Sequence, residues 1–291
     1  MIKIIQVFVS MICCPLLMHS QDVGILSKDS TTTDKEYAYL TFKTTRVVLG
    51  QSIENVNKGN LLFTVSHHFG RINQGAKEFY GLTTSTVRLG LDYGFTNRLT
   101  AGFGISTFQK NLDGSLKYKI LRQHKGKNTM PVSVSYFGQV VVTTLKWQYP
   151  KSKDYFSSRV SYANQLLIAR KFNKSFSLQV MPTFIHYNFV VLKTDQNNVF
   201  AIGAGGRYKF TKHSSINFEY HYLLPGQTAK DYINSLSVGV DIETGGHVFQ
   251  LFLTNSQPLI ERGFIAETKG KWNKGDIYFG FNISRIFTLF E

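Results

Sequence analysis

Residues 276–290 read DIYFGFNISRIFTLF. With a period of two, Ile277, Phe279, Phe281, Ile283 and Phe287 share one face, and Tyr278, Gly280, Asn282 and Ser284 share the other. The pattern predicts a β-strand with one apolar side. A strand of a soluble sandwich has a polar outer face, which Ile, Phe, Phe, Ile does not supply.

Working back along the chain, the same alternation recurs in segments 61–70, 83–95, 98–110, 114–123, 131–147, 155–171, 175–190, 198–211, 214–223, 233–243 and 247–255. With 276–287 these make about twelve strands, an even number, and about 10 residues suffice for a tilted strand to cross the apolar band of a bilayer. In 83–95, Val87, Leu89, Leu91, Tyr93 and Phe95 oppose Arg88, Gly90, Asp92 and Gly94. In 233–243, Leu236, Val238, Val240 and Ile242 oppose Ser235, Ser237, Gly239, Asp241 and Glu243. Charge on the second face is costly in a dry core and cheap in water. The predicted fold is all-β, an antiparallel up-and-down transmembrane β-barrel with lipid outside and a polar lumen, and the strand at 276–287 closes it.

Composition agrees. A chain of 291 residues with 43% hydrophobic content is too apolar for disorder. Its mean hydropathy of −0.11 is uninformative, because only alternate residues of a barrel strand meet lipid. Residues 1–20 place Lys3 before an apolar stretch from Ile4 to Leu17 and a small Ser20, as a cleaved signal peptide does. Both cysteines, Cys13 and Cys14, fall inside it, so a mature chain would carry no thiol for disulfides, zinc or nucleophilic catalysis. The uninterrupted apolar runs that follow are short, four or so residues as at 189–192, so a bilayer would be crossed by strands, not helices. The net charge of +15 includes Lys3, which leaves +14 for the mature chain. Such a charge would suggest nucleic acid in an intracellular protein, but export and the strand pattern argue against that partner. The expected partner is outer-membrane lipid, and no cofactor is implied.

The predicted organisation is a signal peptide at 1–20, an N-terminal segment at 21–60 and the barrel at 61–291. Residues 21–60 begin polar and irregular, and two placements stay open: a periplasmic lead, or a plug tucked into the barrel. A local repeat sets Phe before a polar turn in YGFTNRLTAG (93–102), RKFNKSFSLQ (170–179) and YKFTKHSSIN (208–217), which predicts an aromatic girdle of Phe95, Phe172 and Phe210 at one interface. Short turns alternate with the longer loops 71–82, 148–154, 191–197, 224–232 and 256–275, and both termini fall on the short-turn side. Two joints depart from the alternation. A turn at Asn111 to Gly114 is short where a long one is expected, and His124 to Met130 is long where a short one is expected.

The stretches LTFKTTRVVLGQSIE (40–54), HHFGRINQGAKEFYGLTTSTVRLGLDYGFTNRLTAGFG (67–104), GHVFQLFLTNSQ (246–257) and GDIYFGFNISRIF (275–287) resemble an uncharacterised outer-membrane β-barrel family of Bacteroidetes-type bacteria. The resemblance runs through most of the mature chain and implies fold and location, with no catalytic residues.

Other motifs favour structural roles. His67 and His68 are neighbours on a strand, so their rings point to opposite faces and cannot share a metal. Gly203, Gly205 and Gly206 lack the Lys-Ser/Thr of a phosphate loop and read as room inside the barrel or a bend in its wall. Glu219 and His221 share an inward face and form either a lumen hydrogen bond or an acid-base pair. Ser66 and His68 also share a face, yet no spacing singles out a nucleophile, and the chain is not expected to be an enzyme. By parity, Arg88, Asp92, Lys117, Lys119, Arg159, Arg207, Lys209, Glu219, His221, Asp241 and Glu243 are candidate lumen-lining residues. Arg88, Lys117, Lys119, Arg159, Arg207 and Lys209 form a basic arc, and Glu219, Asp241 and Glu243 an acidic one. Such separation sets up a transverse field in an open pore, or the charges pair across a narrow lumen and stiffen it. The expected function is a passive channel or transport protein for small polar or anionic solutes. The alternatives are a non-conducting structural or interaction barrel and an enzyme acting on lipid.

Overall fold

The computed structural model describes residues 35–290 apart from 151, 193–194 and 229–230. The signal-peptide expectation for 1–20 lies outside the described residues. Twelve antiparallel strands form a closed barrel. In chain order the strands are β1 (Lys35–Tyr37), β2 (Asn60–Arg71), β3 (Ser85–Gly94), β4 (Leu99–Ser106), β5 (Asn111–Leu121), β6 (His124–Gly126), β7 (Ser133–Thr143), β8 (Val160–Lys171), β9 (Phe176–Tyr187), β10 (Asn198–Lys209), β11 (Ser214–Leu223), β12 (Ser235–Thr244), β13 (His247–Thr254) and β14 (Tyr278–Thr288). All but β1 and β6 belong to the barrel. β14 closes it on β2, from Tyr278 opposite Arg71 to Thr288 opposite Asn60.

The alternation read in 276–287 is the alternation observed. Tyr278, Gly280, Asn282 and Ser284 are buried, while Phe279, Phe281 and Ile283 stand on the outer face. Around the wall, Leu89, Leu91, Phe103, Leu116, Val140, Phe200, Ile216, Val238 and Leu251 are exposed. Outward apolar residues in every part of a sheet make a band that only lipid can cover.

The Phe-containing repeat has a definite local cause. Phe95, Phe172 and Phe210 follow the last residues of β3, β8 and β10, and all three rings are exposed at the end of the barrel that carries both termini of the described chain. The next residue in each case is Thr96, Asn173 or Thr211. Its side-chain oxygen accepts backbone N–H groups two and three residues on, from Arg98 and Leu99, Ser175 and Phe176, and His213 and Ser214 respectively. A short polar side chain that satisfies two turn donors is what sets these tight turns.

Several strand boundaries differ from the expected ones: β7 ends at Thr143 and not at 147, and β8 begins at Val160 and not at 155. The turn placed at 111–114 lies instead at 107–110, and β5 begins at Asn111. Thr107, whose hydroxyl accepts the Val87 N–H, and the left-handed Gln109 and Lys110 make the corner that alternation alone does not reveal. The long joint after β5 has its own function in the fold. It contains β6, which pairs antiparallel with β1, from Lys35 opposite Gly126 to Tyr37 opposite His124.

The interior is filled. Residues 41–56 are buried throughout, as are Glu261–Ala266, which form the short helix α1 in the connection between β13 and β14. Their apolar side chains, Phe42, Val47, Val48, Leu49, Ile53, Phe264 and Ile265, pack with inward residues of the wall, chiefly Phe137, Leu167, Met181 and Ile185 on β7 to β9. A sheet whose inner face carries Phe, Leu, Met and Ile needs an apolar cover there.

Candidate functional site: the barrel lumen

Residues 40–58 enter from the terminal end, reverse, and return to start β2. At the reversal Val47 N–H bonds the Gly50 carbonyl at 2.9 Å and Ser52 N–H bonds the Thr45 carbonyl at 2.8 Å, which makes a hairpin-like loop with its tip at 47–50. The wall grips this loop mainly through its backbone. Glu219 accepts N–H groups of Val48 (2.9 Å), Leu49 (3.2 Å) and Gly50 (2.9 Å). Lys117 Nζ donates to the carbonyls of Thr45, Ser52 and Glu54 at 3.0–3.3 Å. Arg207 Nη1 donates to the carbonyls of Leu40 and Thr41, and its Nε to Ser215 Oγ. Gln179, Gln250 and Asn282 donate to the carbonyls of Gln51, Val47 and Val48. Lys43 adds a side-chain ion pair to Glu243.

α1 meets the loop from the other end. Glu261 accepts from Gln51 Nε2 at 2.9 Å and lies 3.4 Å from Arg46 Nη1. Phe264 packs on the His221 ring at 5.3 Å. Two inserts, one from each mouth, therefore touch in mid-lumen.

The candidate lumen residues fall into three sets. Lys117, Arg207 and Glu219 bind the loop backbone directly, and Glu243 binds it through Lys43. Lys119 and Lys209 are half-buried near the terminal mouth, with Lys119 4.0 Å from Glu54. Arg88, Asp241 and His221 bind within the wall, and Asp92 stands beside it on β3. Arg88 pairs with Asp113, with Nε 3.0 Å from Oδ1. Asp92 lies against the space where a Gly102 Cβ would stand. Asp241 accepts from Gln250 at 2.9 Å. His221 Nε2 lies 2.8 Å from Glu219 Oε1, and both side chains are buried.

Arg159 is elsewhere. It ends a one-turn helix (Phe156–Arg159) just before β8 and grips Asp154 in the outer loop, with Nε 2.7 Å from Oδ1. Strand parity does not apply to a residue in a helical turn, which is why the inward assignment fails. The side-chain hydrogen bond from Arg159 holds the Asp154 carboxyl below the usual carboxylate range, and coulombic attraction adds to it.

The remaining motifs resolve geometrically. His67 stacks on Phe281 with ring centroids 5.1 Å apart, whereas His68 is fully buried with Nδ1 2.9 Å from the Gln257 carbonyl oxygen. Gly205 leaves room for the loop: a Cβ there would stand 3.0 Å from Val47 Cγ1. Gly206 lies under the Phe218 ring, 2.2 Å from where its Cβ would be. Gln179, Gln250 and Asn282 bind the loop without any sequence motif that marks them for it. Their inward parity was legible, but uncharged amides carried no signal of what they bind.

A closed barrel with an apolar belt outside and ionisable groups within defines an outer-membrane β-barrel protein. The chain belongs to the family described as a membrane-bound β-barrel domain (DUF5777), which it matches over residues 42–287. The match begins in the inserted loop, so the loop is part of the domain. No curated protein matches the chain. Among solved structures, an outer membrane channel from Pseudomonas putida F1 is 13% identical with a TM-score of 0.51, over 81% of this chain and 98% of that one. The NanC porin is 9% identical with a TM-score of 0.48, over 78% of this chain and 98% of that one. The KdgM porin is 9% identical with a TM-score of 0.46, over 79% and 99%. At these identities the likeness is one of fold.

Proposed function

We propose that the protein is a passive outer-membrane channel for small polar or anionic solutes, that residues 1–20 direct its export, and that the loop at 41–56 is a displaceable plug. One observation carries this reading: lumen cations are bound by carbonyl oxygens of the inserted loop. Lys117 holds three such oxygens and Arg207 two. Those oxygens occupy the places that water or a solute oxygen takes once the loop withdraws. Buried charge adds little to stability compared with apolar packing of equal volume, so a purely structural barrel gains little from keeping these groups. No covalent bond ties the loop to the wall among the described contacts. The fold shared with a Pseudomonas putida channel is compatible with the reading and does not carry it. No catalytic role is assigned to Ser66, His68, Glu219 or His221.

Planar-bilayer conductance of the refolded chain tests it. The intact chain should conduct weakly or in brief openings, and a chain starting at Lys58 should conduct steadily with an anion preference in a salt gradient. A shortened chain that folds but stays silent would favour the non-conducting structural barrel, for which the filled lumen is the supporting observation.

A further inference from the structure

We infer that the terminal mouth of the barrel holds a binding site for the phosphate group of a small soluble ester, formed by Lys171, Arg207 and Lys209, and that residues 39–41 occupy it while the plug is in place. The inference rests on the reading of the inserted loop as a displaceable plug and names the anion that competes with it.

The wall sets the three cations side by side. Lys171 ends β8 and Lys209 ends β10. The register puts Ser177 of β9 opposite both Lys171 and Arg207, so two long side chains meet over a small buried one. Lys209 stands two residues beyond Arg207 on the same face. What they grip is the entry of the inserted loop. Lys171 Nζ donates to the Tyr39 carbonyl at 2.5 Å, and Arg207 Nη1 donates to those of Leu40 and Thr41 at 2.9 and 3.4 Å. Three consecutive carbonyls thus serve two cations. Leu40, in the middle, has a φ of 52°, a left-handed conformation that a non-glycine residue keeps only where its surroundings impose it. Lys209 Nζ makes no hydrogen bond or ion pair among the described residues, and its cationic neighbours are Lys43, Arg207 and Lys212.

The local balance sets the charge of the ligand. Lys43 pairs with Glu243, and Glu54, which accepts the Thr41 N–H at 2.7 Å, lies 4.0 Å from Lys119. Lys171, Arg207 and Lys209 are then left facing Asp241, which Ser215 links to Arg207, so the cations outnumber the anion by two. Backbone carbonyls are neutral and cancel none of this charge, whereas hydrogen bonds between ions are the stronger kind. A phosphate monoester carries close to two negative charges at about pH 7 and presents three oxygens around one atom, which suits a guanidinium and two ammonium groups closing on one point. A dicarboxylate spreads the same charge over two separated groups. Lys171, Lys209 and Leu40 are half-buried, so the anion reaches them from the terminal side. Phosphate and the plug entry exclude each other, because both need Lys171 Nζ and Arg207 Nη1.

The test is calorimetric titration and hydrogen exchange of the detergent-folded full chain with inorganic phosphate and glycerol phosphate. Succinate serves as the dicarboxylate control, and chloride at matched ionic strength controls for screening. Both phosphates should bind. Near saturation the Thr41 and Phe42 amides, which Glu54 now holds, should exchange about tenfold faster while β-strand amides keep their protection. Lys209→Gln removes a side chain that bonds nothing in the plugged state, so it should fold as the parent does and weaken phosphate binding about tenfold, the order of one hydrogen bond to a charged group. Lys174→Gln, in the exposed turn after β8, should leave binding unchanged. The inference is overturned if either phosphate fails to bind at about 20 mM, far weaker than millimolar affinity, or if succinate binds more tightly. It is equally overturned if chloride loosens Thr41 and Phe42 as much, if bound phosphate leaves those amides protected, or if the two lysine variants behave alike. No current is measured, so a barrel that never conducts leaves a positive result standing, and a conducting one whose plug ignores phosphate loses only this inference.

Discussion

Glu219 lies at the centre of the inserted loop's attachment. Its carboxylate takes backbone N–H groups from three consecutive residues and a contact from His221, with 1% of the residue exposed. Successive N–H groups converging on one anion form a concave site of the kind that binds phosphate elsewhere. Hydrogen bonds to charged groups contribute about 1.5–3 kcal/mol. Glu219→Gln should therefore loosen the loop tip by about 2–3 kcal/mol and speed hydrogen exchange at Val48–Gly50 by roughly 100-fold, while β-strand amides keep their protection. Equal protection in both proteins would show that the tip is held by packing alone. A second carboxylate acts at the rim. Asp276 accepts from Asn73 Nδ2 (2.9 Å), Lys271 N–H (3.1 Å) and Arg71 Nη1 (3.1 Å), and these bonds, that from Asn73 first, hold its carboxyl below the usual range. A lowered folded value means that the tie is fully present above the unfolded value of about 3.9 and is lost as pH falls through the lower folded value. Limited proteolysis of the outer loops should accelerate only below about pH 4, and Asp276→Asn should abolish that step. At this scale the sequence revealed direction but not partnership. Alternation fixes which way Arg207 points, but nothing local to it announces the Leu40 carbonyl.

The inserted loop and α1 show where reading by elements stops. Strands were legible because each carries its own alternation, and the Phe-led turns because each satisfies its donors locally. The loop has no period, since its conformation is dictated by the wall around it. A trace of it was nevertheless present. Phe137, Leu167, Met181 and Ile185 face inward on β7 to β9, and a water-filled lumen would not be lined that way. These four stand among inward Ser, Thr and Gln side chains such as Ser135, Gln139, Gln165 and Thr183, and an insert with both apolar side chains and a free backbone matches that mixture. The wall also provides the means to test the loop without altering it. Gly205 sits where a Cβ would approach Val47 within 3.0 Å. Gly205→Leu should wedge the loop away from β10 and raise the open fraction in bilayer recordings, with the barrel intact. An unchanged open fraction would mean that conduction, if any, bypasses the loop.

At the scale of the whole barrel, charge is arranged by height. Lys119, Lys171, Arg207 and Lys209 lie toward the terminal ends of β5, β8 and β10, with Glu243 facing them from β12. Arg88 sits deeper and is already neutralised by Asp113. An ion entering the opened pore would thus meet a largely basic mouth and then a balanced interior. Focusing by charges at a low-dielectric rim sets which ions enter, whereas an internally paired group contributes little field. In the chain starting at Lys58, neutralising Lys119, Arg207 and Lys209 together should move the reversal potential toward zero. Arg88→Gln should leave that potential nearly unchanged and instead destabilise the barrel by about 3–5 kcal/mol, because Asp113 is stranded, as read by its unfolding midpoint in urea. If Arg88→Gln alone abolishes selectivity while stability holds, the selective constriction lies at mid-lumen, where the loop tip and α1 now meet.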